Sequence, residues 1–103
     1  MTFDRDVVFL QVIEMAKHWI DPEKVWIFGS QARGNATRYS DIDMAFSFDT
    51  VKKQWWGSFV ADVEENARTL LEFDLVDMNS CEPALRDEIL KTGKILYERK
   101  SQY

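Results

Sequence analysis

Val25-Trp26-Ile27-Phe28-Gly29-Ser30-Gln31-Ala32-Arg33-Gly34, followed closely by Ser40-Asp41-Ile42-Asp43-Met44-Ala45-Phe46-Ser47, decides the fold of this chain. The apolar run Val25–Phe28 reads as a buried strand that stops at Gly29-Ser30. Glycine lets the backbone turn there and lets a ligand approach without a Cβ in the way. If 31–34 is helical, its free N–H groups face a phosphate position. The Ser-Asp-Ile-Asp segment opens a second strand through Phe48. Side chains alternate along a strand, so Asp41 and Asp43 share a face with Ala45 and Ser47, while Ile42, Met44, Phe46 and Phe48 supply the core face. Two carboxylates on one face repel unless a cation or a proton lies between them. Opposite a Gly-Ser turn, a divalent cation carrying a nucleotide suits that pair.

An apolar strand, Gly-Ser-Gln-Ala-Arg-Gly, and Ser-Asp-Ile-Asp opening another strand together resemble the nucleotidyltransferase superfamily that includes DNA polymerase β. Within it the chain is most similar to the minimal nucleotidyltransferases, small proteins that are little more than a catalytic domain. The match is dense over residues 25–48 and looser through Phe73-Asp74-Leu75-Val76-Asp77 and the closing Gly-Lys-Ile-Leu-Tyr. The missing lysine and the spacing exclude a Walker P-loop.

The length of 103 residues is that of one domain, 1–103. At 46% hydrophobic and 14% aromatic, the chain can build a core. A net charge of −5 argues against extensive nucleic-acid binding, which relies on a basic surface. The single cysteine, Cys81, the absence of a membrane-length apolar run and the lack of a signal-peptide pattern together lead to the expectation of a soluble cytoplasmic protein.

Elsewhere, Phe9, Ile13, Ala16 and Ile20, flanked by Val12 and Trp19, predict a helix over 3–20 that Asp21-Pro22 ends. His18 reads as a surface residue of that helix, since a zinc site needs further ligands. Asn35–Tyr39 is a polar loop, and Arg38 within it is solvated. Thr50 or Asp49 can cap a second helix over about 51–70, with Val51, Trp55, Phe59, Val63, Ala67 and Leu70 as its stripe. Trp55 and Trp56, about 100 degrees apart on a helix, cannot both take the centre of that stripe. They belong to the core and its margin, or Trp56 belongs to a partner interface. Glu72–Asp77 reads as a third strand in which Asp74 faces away from Phe73 and Leu75, whereas Asp77 sits at the strand end and helps the turn into Asn79-Ser80. A final helix over 82–92, capped by Asn79 or Ser80, has Ala84, Leu85, Ile89 and Leu90 as its apolar face. Gly93 follows as its C′ residue, then an edge strand at 94–97 and a fraying tail.

The order of elements predicts an α/β fold, a small mixed sheet backed by helices, which the resemblance sharpens to the polymerase β-like nucleotidyltransferase fold. The resemblance also implies the chemistry. Asp41, Asp43 and Asp74 would be the catalytic carboxylates and the ligands of a two-Mg2+ site. Gly29 and Ser30 would hold the phosphates of ATP, with Arg33 as a phosphate contact. A nucleoside monophosphate would pass to an acceptor hydroxyl. The implied partner is a separate helical protein of the HEPN or substrate-binding type in a hetero-oligomer. On such a toxin a tyrosine would receive AMP, making this chain the antitoxin. Two other readings stay open: a catalytic subunit acting on a small molecule, and a protein that neutralises its partner by contact alone.

Overall fold

The computed structural model describes residues 5–29, 41–67 and 72–100 of the chain. The first helix, α1, spans Arg5–Trp19. Its inward stripe of Val8, Phe9, Val12, Ile13 and Ala16 is buried, as the apolar spacing requires, and Ile20 just beyond it is fully buried. The helix ends as Ile20 and Asp21 N–H both donate to the Ala16 carbonyl at 2.8 and 3.0 Å. Asp21 then takes a left-handed φ of 43°. His18 is exposed, edge-on to Trp19.

Four strands follow: β1 (Lys24–Ile27), β2 (Ile42–Ser47), β3 (Phe73–Asp77) and β4 (Lys94–Glu98). They form one sheet in the order β3-β2-β1-β4. Strand β2 is antiparallel to β1 and parallel to β3, and β4 is antiparallel to β1, so the sheet is mixed as expected. One face, carrying Val25, Ile27, Ile42, Met44 and Phe46, packs on α1 and on Phe59 and Val63 of α2 (Trp56–Asn66). The other face, with Trp26, Ala45 and Val76, packs on Ile89 and Leu85 of α3 (Pro83–Thr92). Strand β1 is therefore covered on both sides, the usual origin of an unbroken apolar run.

Strand β4 contains an irregularity. Val25 pairs with Tyr97 but Trp26 pairs with Ile95, leaving Leu96 as an extra residue. Such a bulge breaks the side-chain alternation. Leu96 and Tyr97, adjacent in sequence, accordingly both pack against the α1 side of the sheet.

Several expected boundaries move. The segment expected to be one helix over 51–70 is a 3-10 helix at Thr50–Trp55 followed by α2. Asp49 caps the 3-10 turn, its Oδ1 accepting Val51 N–H at 3.0 Å. The tighter turn changes which side chains face inward. Val51 (67% exposed) and Trp55 (43%) point out, while Phe59 and Val63 stay in the core. Trp56 is the tryptophan that packs inward: its ring stacks on Phe48 at 5.6 Å and 8°, with Phe46 and Phe59 at 5.9 and 5.5 Å. Leu70 lies outside the described residues. Helix α3 is N-capped by Glu82, not by Asn79 or Ser80, because both of those are engaged at the end of β3. Only Leu85 and Ile89 of its expected apolar face turn to the sheet; Ala84 and Leu90 are exposed. Gly93 caps α3 in an extended conformation (φ −69°, ψ 156°), not a left-handed one. It is glycine for room: a Cβ there would lie 2.5 Å from Ile89 O and 3.2 Å from Ile27 O. Nor is the chain past Glu98 loose at once, since Arg99 N–H donates to Glu23 O at 2.8 Å and its guanidinium to Asp21 Oδ2 at 2.8 Å.

Candidate functional site

The site lies at the end of the sheet where β1 finishes and β2 and β3 begin. Phe28 N–H donates to Asp43 O at 3.1 Å, extending the β1–β2 ladder to that point. On the other side, Asp43 pairs in register with Asp74 of β3. Neighbouring strands run about 4.8 Å apart, so parallel register sets these two carboxylates side by side. Both belong to the sheet face that α3 covers one step further on, at Trp26, Ala45 and Val76. The row at the site end reads Phe28, Asp43, Asp74 across three strands. Asp74 is exposed and Asp43 half-buried.

Asp41 precedes β2 and is exposed, two positions before Asp43 on the same approach. Gly29 ends β1 with φ 66° and touches Asp43 closely. Ser30 and Arg33, expected to hold phosphate, lie outside the described residues, as do the possible helix at 31–34, Arg38 and the Asn35–Tyr39 loop. Among the described residues no group of three or more His, Cys, Asp or Glu is close enough to hold a metal ion. What the strands assemble is a pair of acids with a third nearby. A set made only of carboxylate oxygens beside a glycine suits a hard cation such as Mg2+.

Asp77 shares the strand with Asp74 and none of its surroundings. It is 6% exposed at the opposite end of the sheet. Its Oδ1 accepts Asn79 N–H at 2.8 Å, and its Oδ2 accepts the Ser80 hydroxyl at 3.1 Å and the Lys53 ammonium. Lys53 also donates to Ser80 Oγ at 2.8 Å. Every polar atom of that carboxylate is used in closing a turn, which matches the expectation for it.

Phe28 was not singled out by its sequence. Because β1 is apolar on both faces, its alternation is silent, and only the pairing partner Asp43 reveals that Phe28 borders the acids. Trp19 and Trp55, in contrast, stand away from the site. Trp55 packs on Trp19 at 6.2 Å, and the Trp19 indole donates to Asp62 Oδ2 at 2.9 Å. That bond, then one from Asn66, holds the Asp62 carboxyl below the ordinary aspartate value. Trp19 precedes the start of β1 and Trp55 follows the end of β2, so both lie at the pole opposite Asp43. Trp56, the tryptophan offered for a partner interface, instead packs inward on Phe48.

The profile of the family described as polymerase beta, nucleotidyltransferase matches residues 11–102. The chain belongs to that family. A toxin–antitoxin crystal structure with AMP-PNP is similar to it with a TM-score of 0.62 and 24% identity, over 88% of this chain and 73% of that one. A complex from Shewanella oneidensis, of a tri-AMPylated HEPN toxin with an MNT antitoxin, gives a TM-score of 0.59 and 19% identity over 93% and 74%. A protein described as a minimal nucleotidyltransferase gives 0.55 and 20% over 89% and 95%. At these identities the likeness is one of fold. A comparison with curated proteins finds no match.

Proposed function

We propose that this chain is a metal-dependent nucleotidyltransferase that moves AMP from ATP to an acceptor hydroxyl. The observation that carries the reading is the pairing of Asp43 with Asp74 at the strand end where β1 turns at Gly29, inside a match to the family along residues 11–102. Asp41, Asp43 and Asp74 would hold Mg2+, which when bound neutralises phosphate charge and acidifies the attacking hydroxyl. Gly29, Ser30 and Arg33 receive the β- and γ-phosphates. Asp74, farther from β1, faces the acceptor and takes the hydroxyl proton as that oxygen bonds to the α-phosphorus. The bond from the α-phosphorus to the bridging oxygen breaks, and pyrophosphate leaves with the electron pair.

Two of the solved complexes support a protein acceptor. One fold neighbour is an MNT antitoxin bound to an AMPylated HEPN toxin, and another is a toxin–antitoxin structure with AMP-PNP. We infer a cytoplasmic pair in which a helical HEPN-type protein presents a tyrosine to the acid row. No described helix is long and apolar enough to cross a membrane. Incubation with labelled ATP, Mg2+ and a helical protein encoded beside this chain, followed by mass spectrometry, is expected to show AMP on a tyrosine of that protein. Asp43→Asn should abolish the label without unfolding the chain. Label retained in that variant would exclude the acid row as the site.

A further inference from the structure

Just past the end of β1, Gly29 lies against the Asp43 carboxylate. A Cβ placed on Gly29 would lie 2.5 Å from Asp43 Oδ2 and 3.5 Å from its Cγ. Non-bonded heavy atoms settle at about 3.5–4.0 Å, so the first of these separations cannot coexist with a Cβ. The volume that any other residue would fill with its Cβ is filled here by a carboxylate. The remaining described glycines differ: Gly57 has nothing within 4 Å, and Gly93 meets backbone only. At Gly29 alone among them does the missing Cβ make room for an acid. The same strand end also holds the Asp43 backbone, through the Phe28 N–H.

We propose that Gly29 is a positioning residue for Asp43, its bare Cα forming the seat that sets the direction in which the Asp43 carboxylate meets a divalent cation. This rests on the nucleotidyltransferase reading of the site, and it assigns Gly29 a task separate from admitting phosphate. A side chain at residue 29 swings the carboxylate away from β1, so cation binding fails even with no nucleotide present. The positive φ of Gly29 adds a cost of its own to any substitution, one that is independent of Asp43. The two costs are separable because only the first depends on what stands at residue 43.

The test is a double-mutant cycle of Gly29→Ala and Asp43→Ala, read by thermal melting, with Mn2+ titration of the native protein and of Gly29→Ala in the absence of nucleotide. The expected result is a loss of melting temperature from Gly29→Ala that shrinks clearly in the Asp43→Ala background, where the carboxylate atoms at 2.5 and 3.5 Å are gone. Mn2+ affinity of Gly29→Ala should fall by roughly tenfold or more, the order seen when a group that orients a metal ligand is disturbed. Equal losses in both backgrounds would assign the whole cost to backbone strain and overturn the seat, as would unchanged Mn2+ affinity in a folded Gly29→Ala. If Gly29→Ala fails to fold alone, folding of the double variant supports the seat and failure of both overturns it. A native protein that binds no Mn2+ sinks the nucleotidyltransferase reading itself. Native binding without coupling sinks only the seat.

Discussion

Asp74 and Asp77 belong to one five-residue strand, and the sheet treats them as different chemical objects. Asp74 is exposed beside Asp43, where like charges stand together at an open strand end. Asp77 is buried at the other end, with Lys53, Asn79 and Ser80 turned towards it. A structural carboxylate has its lone pairs occupied by neighbours within the fold. On the proposed reading, Asp74 instead stands beside a second acid so that the two can share a cation. The same contrast separates Trp55 from Trp56, since Trp56 packs against the core on Phe46, Phe48 and Phe59 while Trp55 is 43% exposed.

The strongest way to break the comparison is to exchange roles along β3. Asp74→Asn should lower nucleotide transfer by on the order of 10²–10³-fold or more, as the loss of one group aimed at transition-state charge does. Its melting temperature should hold or rise as the repulsion with Asp43 is relieved. Asp77→Asn should leave transfer per folded molecule intact and lower stability by about 1–2 kcal/mol, since half-exposed Lys53 weakens the value of the pair. Activity assays beside chemical denaturation decide this. An inactive Asp77→Asn with an active Asp74→Asn would reverse the assignment.

The tryptophans give the next largest effect. Trp56→Ala should cost about 3 kcal/mol in urea unfolding, the low end of the range for emptying an aromatic core site, because the ring is partly buried. Trp55→Ala should stay within about 1 kcal/mol, because the residue is 43% exposed and its ring contact is with Trp19. Comparable losses would mean that the 3-10 turn does not divide the pair. The smallest effect concerns the hydrogen bonds around Asp62. Its folded pKa is depressed, so its contribution is complete above the ordinary aspartate value and disappears as the pH falls through the depressed one. Melting curves of the native chain and Asp62→Asn should therefore differ slightly near neutrality and converge in acid.

The acid strand was legible because the large apolar residues of β2, Ile42, Met44 and Phe46, alternate with Asp43, small Ala45 and Ser47, and a single register buries the large set. The opposite facing of Asp74 and Asp77 followed from the same alternation. Strand β1 hid its facing, since Val25 and Ile27 meet one helical layer while Trp26 meets another, and so Phe28 passed unnoticed beside the site. The helix boundary at Trp55-Trp56 was hidden too. A 3-10 turn and an α-turn can carry the same residues, and only packing against Phe48 shows which tryptophan turns in. Asn79 and Ser80 looked like helix caps because side chains that can bond N–H groups serve turns as readily. Here Asp77 and the Phe48 carbonyl occupy them.

The extra residue in β4 has a bearing on solubility. Strand β4 is the last strand beyond β1, and Ile95 on it is 52% exposed. A straight apolar edge of this kind would invite a second sheet to add to it, the usual first step of edge-to-edge aggregation. By sending Leu96 and Tyr97 to the same side, the bulge interrupts the even row of donors and acceptors that an added strand would need, and Lys94 and Glu98 put charge at either end. Deleting Leu96 would restore an even ladder and remove that protection.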